Sequence, residues 1–353
     1  MKFPISIIEF YITNVCNFDC TGCNRFNNYN FSGSSQWEDY KDVYAQWATR
    51  LNIDTFAILG GEPMANKDYM NWWQGLSNLW PNASSELLTN GSLLKLEDKK
   101  IYNFLKERPH LRLLKISLHN KNRIAGMIEF LQNWMTPPIQ IKRIPENVED
   151  LPNFNENFLR SYNNIKAKEW PDINNLFDWA SLPDSIKKEC EINYQFSPEL
   201  IANERKKYLV IDSAGVRILV QHESFFHQGA LIANHIDQTF TLYNSDPKKA
   251  HDICHSKYCY HFNNGNLYKC GQVDLFKDID KQFNLILSDE DRELLYSYKP
   301  AAIDMTDLEL QQFLNNLPNQ LDQCKFCPES YNIKEIKSAT KNKIIFKKRQ
   351  NNS

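Results

Sequence analysis

Between residues 5 and 144 the chain alternates short runs of β-forming residues with stretches in which apolar side chains recur at helical spacing. That alternation is the pattern of a parallel sheet or barrel covered by outer helices. It predicts strands over 5–13, 55–59, 86–89, 111–118 and 139–144. Trp37, Tyr40, Tyr44, Trp47 and Leu51 mark one helical stripe, Met70, Trp73, Leu76 and Leu79 a second, and Ile124, Met127 and Leu131 a third. Stripes of this kind are core material. Pro137-Pro138 closes the third helical stretch before the fifth strand, because proline cannot continue a helix and disfavours it at the preceding residue. A sixth strand is expected in 208–212 or 216–221, on one side or the other of Ser213-Ala214-Gly215.

Beyond this core, 145–206 is rich in Asn, Lys and charged residues and reads as an insertion of helices and loops. A different, cysteine-bearing unit is expected over 246–333. The lysine-rich segment 334–353 is polar enough to be a basic, mobile tail. No internal repeat is visible. At 353 residues, 42% hydrophobic and 24% charged with a net charge of −2, the chain can bury a large core and lacks the basic excess of a nucleic-acid binder. The opening MKFPISIIEFYIT is too short an apolar run to span a membrane, and no stretch of about 18 uninterrupted apolar residues follows. The sequence therefore reads as cytoplasmic.

Nine cysteines in such a chain, eight of them in two groups, point to metal or redox ligands, since cytosolic thiols stay reduced. The first group, Cys16-Asn-Phe-Asp-Cys20-Thr-Gly-Cys23, follows directly on the first strand. Three close thiolates can bind three irons of a 4Fe-4S cubane and leave the fourth iron open, whereas a closed cluster takes four cysteines. The competing reading is a zinc site completed by a distant residue, for which paired C-x2-C spacings are the rule.

This C-x3-C-x2-C loop resembles the signature of the radical S-adenosylmethionine (SAM) superfamily, and the resemblance extends over about residues 5–221. It implies a partial (β/α)6 TIM-like barrel in which SAM chelates the open iron of a cluster held by Cys16, Cys20 and Cys23. An external electron donor of flavodoxin or ferredoxin type is implied too, the electron cleaving SAM to methionine and a 5′-deoxyadenosyl radical that takes hydrogen from the substrate. Gly60-Gly61-Glu62 at the end of strand two is similar to the family's GGE motif, which receives the SAM ammonium. Asn90, in Leu88-Thr89-Asn90-Gly91, and Ser117, in Ser117-Leu118-His119-Asn120, fall where family members direct polar groups at SAM. His119 itself reads as solvated or structural. Gly22 departs from the pattern, which has an aromatic residue before the third cysteine.

The second group is Cys254, Cys259, Cys270, Cys324 and Cys327, with Asn263-Asn264-Gly265 a hairpin signal between apolar runs. Ten residues separate Cys254 from Gly265 and four separate Gly265 from Cys270, and the compact Cys324-Lys-Phe-Cys327 follows later. This resembles the twitch and SPASM auxiliary-cluster domains, and the number of thiols fits one further 4Fe-4S cluster. Cys270, Cys324 and Cys327 are its expected ligands, with Cys254 or Cys259 as the fourth; structural Zn(Cys)4 is the alternative. Cys190 reads as an isolated thiol, and His255 and His261 as groups supporting the cluster ligands from behind, substrate contacts or ordinary loop histidines.

The resemblance implies a radical SAM oxidoreductase or modifying enzyme. One expected substrate is a peptide or protein side chain; the other is a sugar or aminocyclitol undergoing dehydrogenation or epimerisation. No peptide-recognition domain precedes the first strand, which weakens the peptide reading. A non-catalytic zinc-binding protein, touching an acidic partner or nucleic acid through 343–349, is the third. No general base is assigned.

Overall fold

The computed structural model describes residues 2–20, 23–119, 123–144, 207–222, 225–227, 231–234, 236–254, 259–283, 285–329 and 333–335. Gly22, Asn120, Cys190, His255 and the segments 145–206 and 336–353 lie outside the described residues.

The first half is β1 (Phe3–Tyr11), α1 (Trp37–Arg50), β2 (Leu51–Leu59), α2 (Tyr69–Leu79), β3 (Ser84–Thr89), α3 (Lys100–Glu107), β4 (Arg112–Leu118) and α4 (Ile124–Trp134). Next come β5 (Gln140–Ile144), β6 (Lys207–Ile211), β7 (Arg217–His222), β8 (Phe225–His227), β9 (Leu231–Asn234) and β10 (Thr239–Leu242). The cysteine-bearing region contributes α5 (Pro247–Asp252), β11 (Tyr260–Asn263), β12 (Asn266–Tyr268), α6 (Gly271–Gln282), β13 (Leu285–Ile286), α7 (Asp289–Ser297), α8 (Asp307–Asn315) and β14 (Ile333–Glu335).

The fold is α/β around a mostly parallel nine-stranded sheet, in the order β12-β11-β1-β2-β3-β4-β7-β6-β5. Neighbours from β11 through β7 pair in parallel, while β12, β6 and β5 are joined to the sheet by antiparallel ladders. Strand β5 sits at the far edge, and β4 pairs with β7. The two alternatives for a sixth strand both form, as the β6–β7 hairpin turning at Gly215, whose φ is +77°. Composition explains the order. Ile218, Leu219 and Val220 of β7 are all buried, as a central strand requires, whereas Lys142 and Arg143 suit β5 to an edge.

The pleat of β1 divides two cores. Ile8, Phe10 and Ile12 face the layer of α1 to α4, where Tyr44, Trp47, Trp72 and Trp73 are buried. Tyr11 faces the other way, into a second core with Leu59, Phe26, Phe31 and the apolar side of α6 (Val273, Phe276, Ile279). The hairpin expected at Asn263-Asn264-Gly265 forms, with positive φ at both Asn264 (48°) and Gly265 (76°). Its strand β11 adds to the edge of the main sheet beside β1, and Trp47 Nε1 donates to the Gly265 carbonyl at 2.9 Å. No helix among the described residues is long and apolar enough to cross a membrane.

Candidate functional site

The first cysteine loop leaves β1 and is held by the turn after β2. The Gly61 N–H donates to the Thr13 carbonyl and the Glu62 N–H to the Val15 carbonyl, each at 2.8 Å. Two glycines are needed for that approach: a Cβ on Gly60 would stand 2.3 Å from the Thr13 carbonyl oxygen, and one on Gly61 2.3 Å from that of Val15. The Thr13 hydroxyl accepts from the Val15 N–H at 3.0 Å, fixing the residue that precedes Cys16. From the other side, Asn90 Nδ2 donates to Asn17 Oδ1 (2.9 Å) and Asn17 Nδ2 to the Ser92 hydroxyl (2.7 Å). The loop after β3 thus grips the cysteine loop as well.

Cys16, Cys20 and Cys23 pack together around Phe18, over which the Arg123 guanidinium lies at 5.5 Å. Burial raises the Cys20 thiol far above its usual value, and the neighbouring Cys23 and Cys16 thiolates raise it further. Thiols that oppose one another's ionisation in this way fit a cationic partner, which inverts the local charge balance. The three cysteines line one cleft of about 220 Å³ together with Gly60, Gly61, Asn90 and Ser117. His119 lines it too, although the sequence reads it as solvated or structural.

Glu62, the acid of the GGE resemblance, lies beneath the β2 turn. It is 0% exposed and absent from the cleft wall. Its carboxylate accepts from the Thr89 hydroxyl (2.7 Å), the Asn90 N–H (2.7 Å) and the Met64 N–H (3.0 Å). Burial raises its pKa, and these bonds act against the rise. The carboxylate therefore staples the β2 turn to the end of β3, while Gly60 and Gly61 line the cleft. Ser117 accepts from Gln221 Nε2 at 2.9 Å, which ties the cleft end of β4 to β7.

The second group is assembled from three places. Cys254 follows α5, Cys270 is the N-cap of α6, and Cys324 and Cys327 lie in and just after a 3-10 helix, Asp322–Phe326. The Ser245 N–H, donating to the Lys325 carbonyl at 2.9 Å, joins the approach to α5 to this helix. Burial first, then Cys254 and Cys324, push Cys270 up to about 12, while the backbone N–H groups of Val273 and Gln272 act the other way. Cys327 is raised by burial and then by Cys270, Cys254 and Cys324. These four thiols feel one another. For Cys259 the electrostatic neighbours, after burial, are Glu9, Arg25 and Glu86. Helix α6 turns its N-terminus toward the group, where partial positive charge favours an anionic thiolate. Among the described residues no three His, Cys, Asp or Glu side chains converge as one mononuclear metal ion demands. A cubane spreads its thiolates more widely, one per iron.

Sequence reasoning assigned no role to Glu9 or Arg25, which also line the cleft. The available signal is a lone acid within the apolar run FPISIIEFY of β1, on the pleat face shared by Tyr11.

Residues 10–151 match the model of the Radical SAM superfamily. Among curated relatives, a probable GTP 3′,8-cyclase of Methanocaldococcus jannaschii is 27% identical over 171 residues, 48% of this chain and 54% of the relative. One from Saccharolobus islandicus is 29% identical over 127 residues, covering 36% and 41%. The chain thus spans about half the length of the curated relatives it matches. Among solved structures, anSMEcpe with bound AdoMet is 21% identical over 37% of this chain and 41% of that one, with a TM-score of 0.30. Streptococcus suis SuiB bound to S-adenosylmethionine is 13% identical over 92% and 72%, with a TM-score of 0.36. Likeness at that level carries no functional argument.

Proposed function

We propose that the chain is a radical SAM enzyme whose Cys16, Cys20 and Cys23 hold a 4Fe-4S cluster and whose cleft binds SAM against Gly60, Gly61, Asn90 and Ser117. The observation that carries this reading is the single cleft lined by all three thiols and those four residues. When bound, cluster and SAM supply a 5′-deoxyadenosyl radical, for which an external donor of flavodoxin or ferredoxin type provides the electron. The chain's own work is positional. Gly60 and Gly61 let the β2 turn close on the cysteine loop while lining the cleft, Asn90 ties that loop to the cleft wall, and Phe18 packs against the thiols. A second 4Fe-4S cluster on Cys254, Cys270, Cys324 and Cys327, in a twitch-like unit over 246–333, completes the proposal. The mutual effects of those four thiols support that set over one containing Cys259.

A peptide or protein side chain is the substrate class that the twitch and SPASM resemblance implies. A small hydrophilic molecule, such as a sugar or aminocyclitol, is favoured by one specific observation: the cleft wall carries the ionised pair Glu9 and Arg25. The test is 5′-deoxyadenosine formation from SAM under dithionite by the anaerobically reconstituted protein. Formation that disappears in Cys20→Ala supports the reading. No formation by an iron-loaded parent rejects it.

A further inference from the structure

A group of polar side chains at the cleft lies outside both sets of cysteines. Glu9 Oε2 accepts from Arg25 Nη2 at 2.9 Å, and both residues line the cleft. The carboxylate is the more open of the two, with 28% of the Glu9 side chain exposed against 17% of Arg25. No described residue hydrogen-bonds to Glu9 Oε1.

Behind this pair stands His261 of β11, in register with Glu9 and only 2% exposed. Its Nδ1 is 3.7 Å from Glu9 Oε2 and its Nε2 3.9 Å from Asp274 Oδ2, and neither nitrogen reaches a hydrogen-bond partner among the described residues. Buried polar atoms are rarely left so. The ring cannot drift away: Tyr11 packs at 5.5 Å, and a Cβ on Gly271 would already stand 3.0 Å from the imidazole. Asp274 is fixed in turn by Asn263 Nδ2 at 2.5 Å. Glu9 therefore has a guanidinium on one side, a wedged imidazole behind it and a partly exposed side chain in the cleft wall.

We propose that Glu9 is the substrate anchor of this cleft, with Oε1 accepting a hydrogen bond from an ammonium or hydroxyl group of a polar substrate, and with Arg25 and His261 as its positioning residues. The assignment rests on the reading of the cleft as the reaction site. Burial opposes the charge on Glu9, but Arg25 and then His261 outweigh it and bring the pKa to about 2, so the acceptor stays ionised in ordinary buffers.

The test compares three probes of one ring size, D-glucosamine, D-glucose and D-glucuronate, binding to the reconstituted full chain with SAM, read by ligand-observed NMR. The expected order is glucosamine, then glucose, then glucuronate. Glu9→Gln weakens glucosamine at least tenfold and moves glucuronate to first place, because Arg25 loses its counter-charge; Glu9→Asp restores the parent order. Matching circular dichroism and iron content exclude misfolding. A parent that binds none of the probes, or binds glucuronate as well as glucosamine, overturns the proposal, as does an unchanged order in Glu9→Gln. Binding is read without turnover, so a parent that keeps the charge order but cleaves no SAM strikes only the proposed function.

Discussion

Gly61 and Glu62 do different work within one turn. A methyl group at Gly61 meets the Val15 carbonyl oxygen, backbone that cannot swing aside. Gly61→Ala is expected to cost about 1–3 kcal/mol, as overpacked interiors do, and to lower iron incorporation by displacing Cys16. A urea melt and an iron assay on the same sample check both. Glu62→Gln puts an NH2 group where the carboxylate accepts from Thr89, Asn90 and Met64, setting donor against donor. A loss of about 1–3 kcal/mol in urea melts is expected, while an unchanged midpoint would refute the stapling role. At this scale the sequence was informative where spacing and chemistry coincide, as in Cys16, Cys20 and Cys23. It could not show that Glu62 turns inward, because a carboxylate's direction depends on donors that arrive from β3.

Among the elements, the β11–β12 hairpin was legible from Asn264-Gly265, since a two-residue turn with positive φ at both positions favours those residues. That it would join the edge beside β1 was not, for the pairing depends on Phe262 stacking on Phe10 at 5.1 Å and on the Trp47 bond, contacts more than 200 residues apart in sequence. Trp47→Ala should destabilise the protein by about 3–5 kcal/mol, and hydrogen exchange should show the hairpin loosening with α1. Helix α3 went unread because its eight residues span barely two turns, too few for a period to stand out. The place of β5 at the sheet edge was not legible, because it depends on antiparallel pairing with β6, more than 60 residues further along the chain. The choice between Cys254 and Cys259 also belongs to this scale. Cys254→Ala is expected to remove about four irons per chain and Cys259→Ala none. The opposite pattern would reassign the ligand.

For the molecule as a whole, the alternation of β and α segments made the mostly parallel sheet legible, because that period is local. How the C-terminal region docks was not, since the core joining Tyr11 and Leu59 to Phe276 and Ile279 has no local signature. Docking brings Cys259 and His261 to the β1 side of the cleft while the other four thiols gather at α6. The account therefore needs two separable clusters with different jobs. The most direct measurement is iron per chain and 5′-deoxyadenosine formation in the parent beside two variants, one with Cys16, Cys20 and Cys23 changed to Ala, the other with Cys254, Cys270, Cys324 and Cys327 changed. The account predicts about eight irons in the parent and about four in each variant, with SAM cleavage abolished in the first and retained in the second. Zinc in place of iron, or SAM cleavage that survives loss of the first three cysteines, would contradict it.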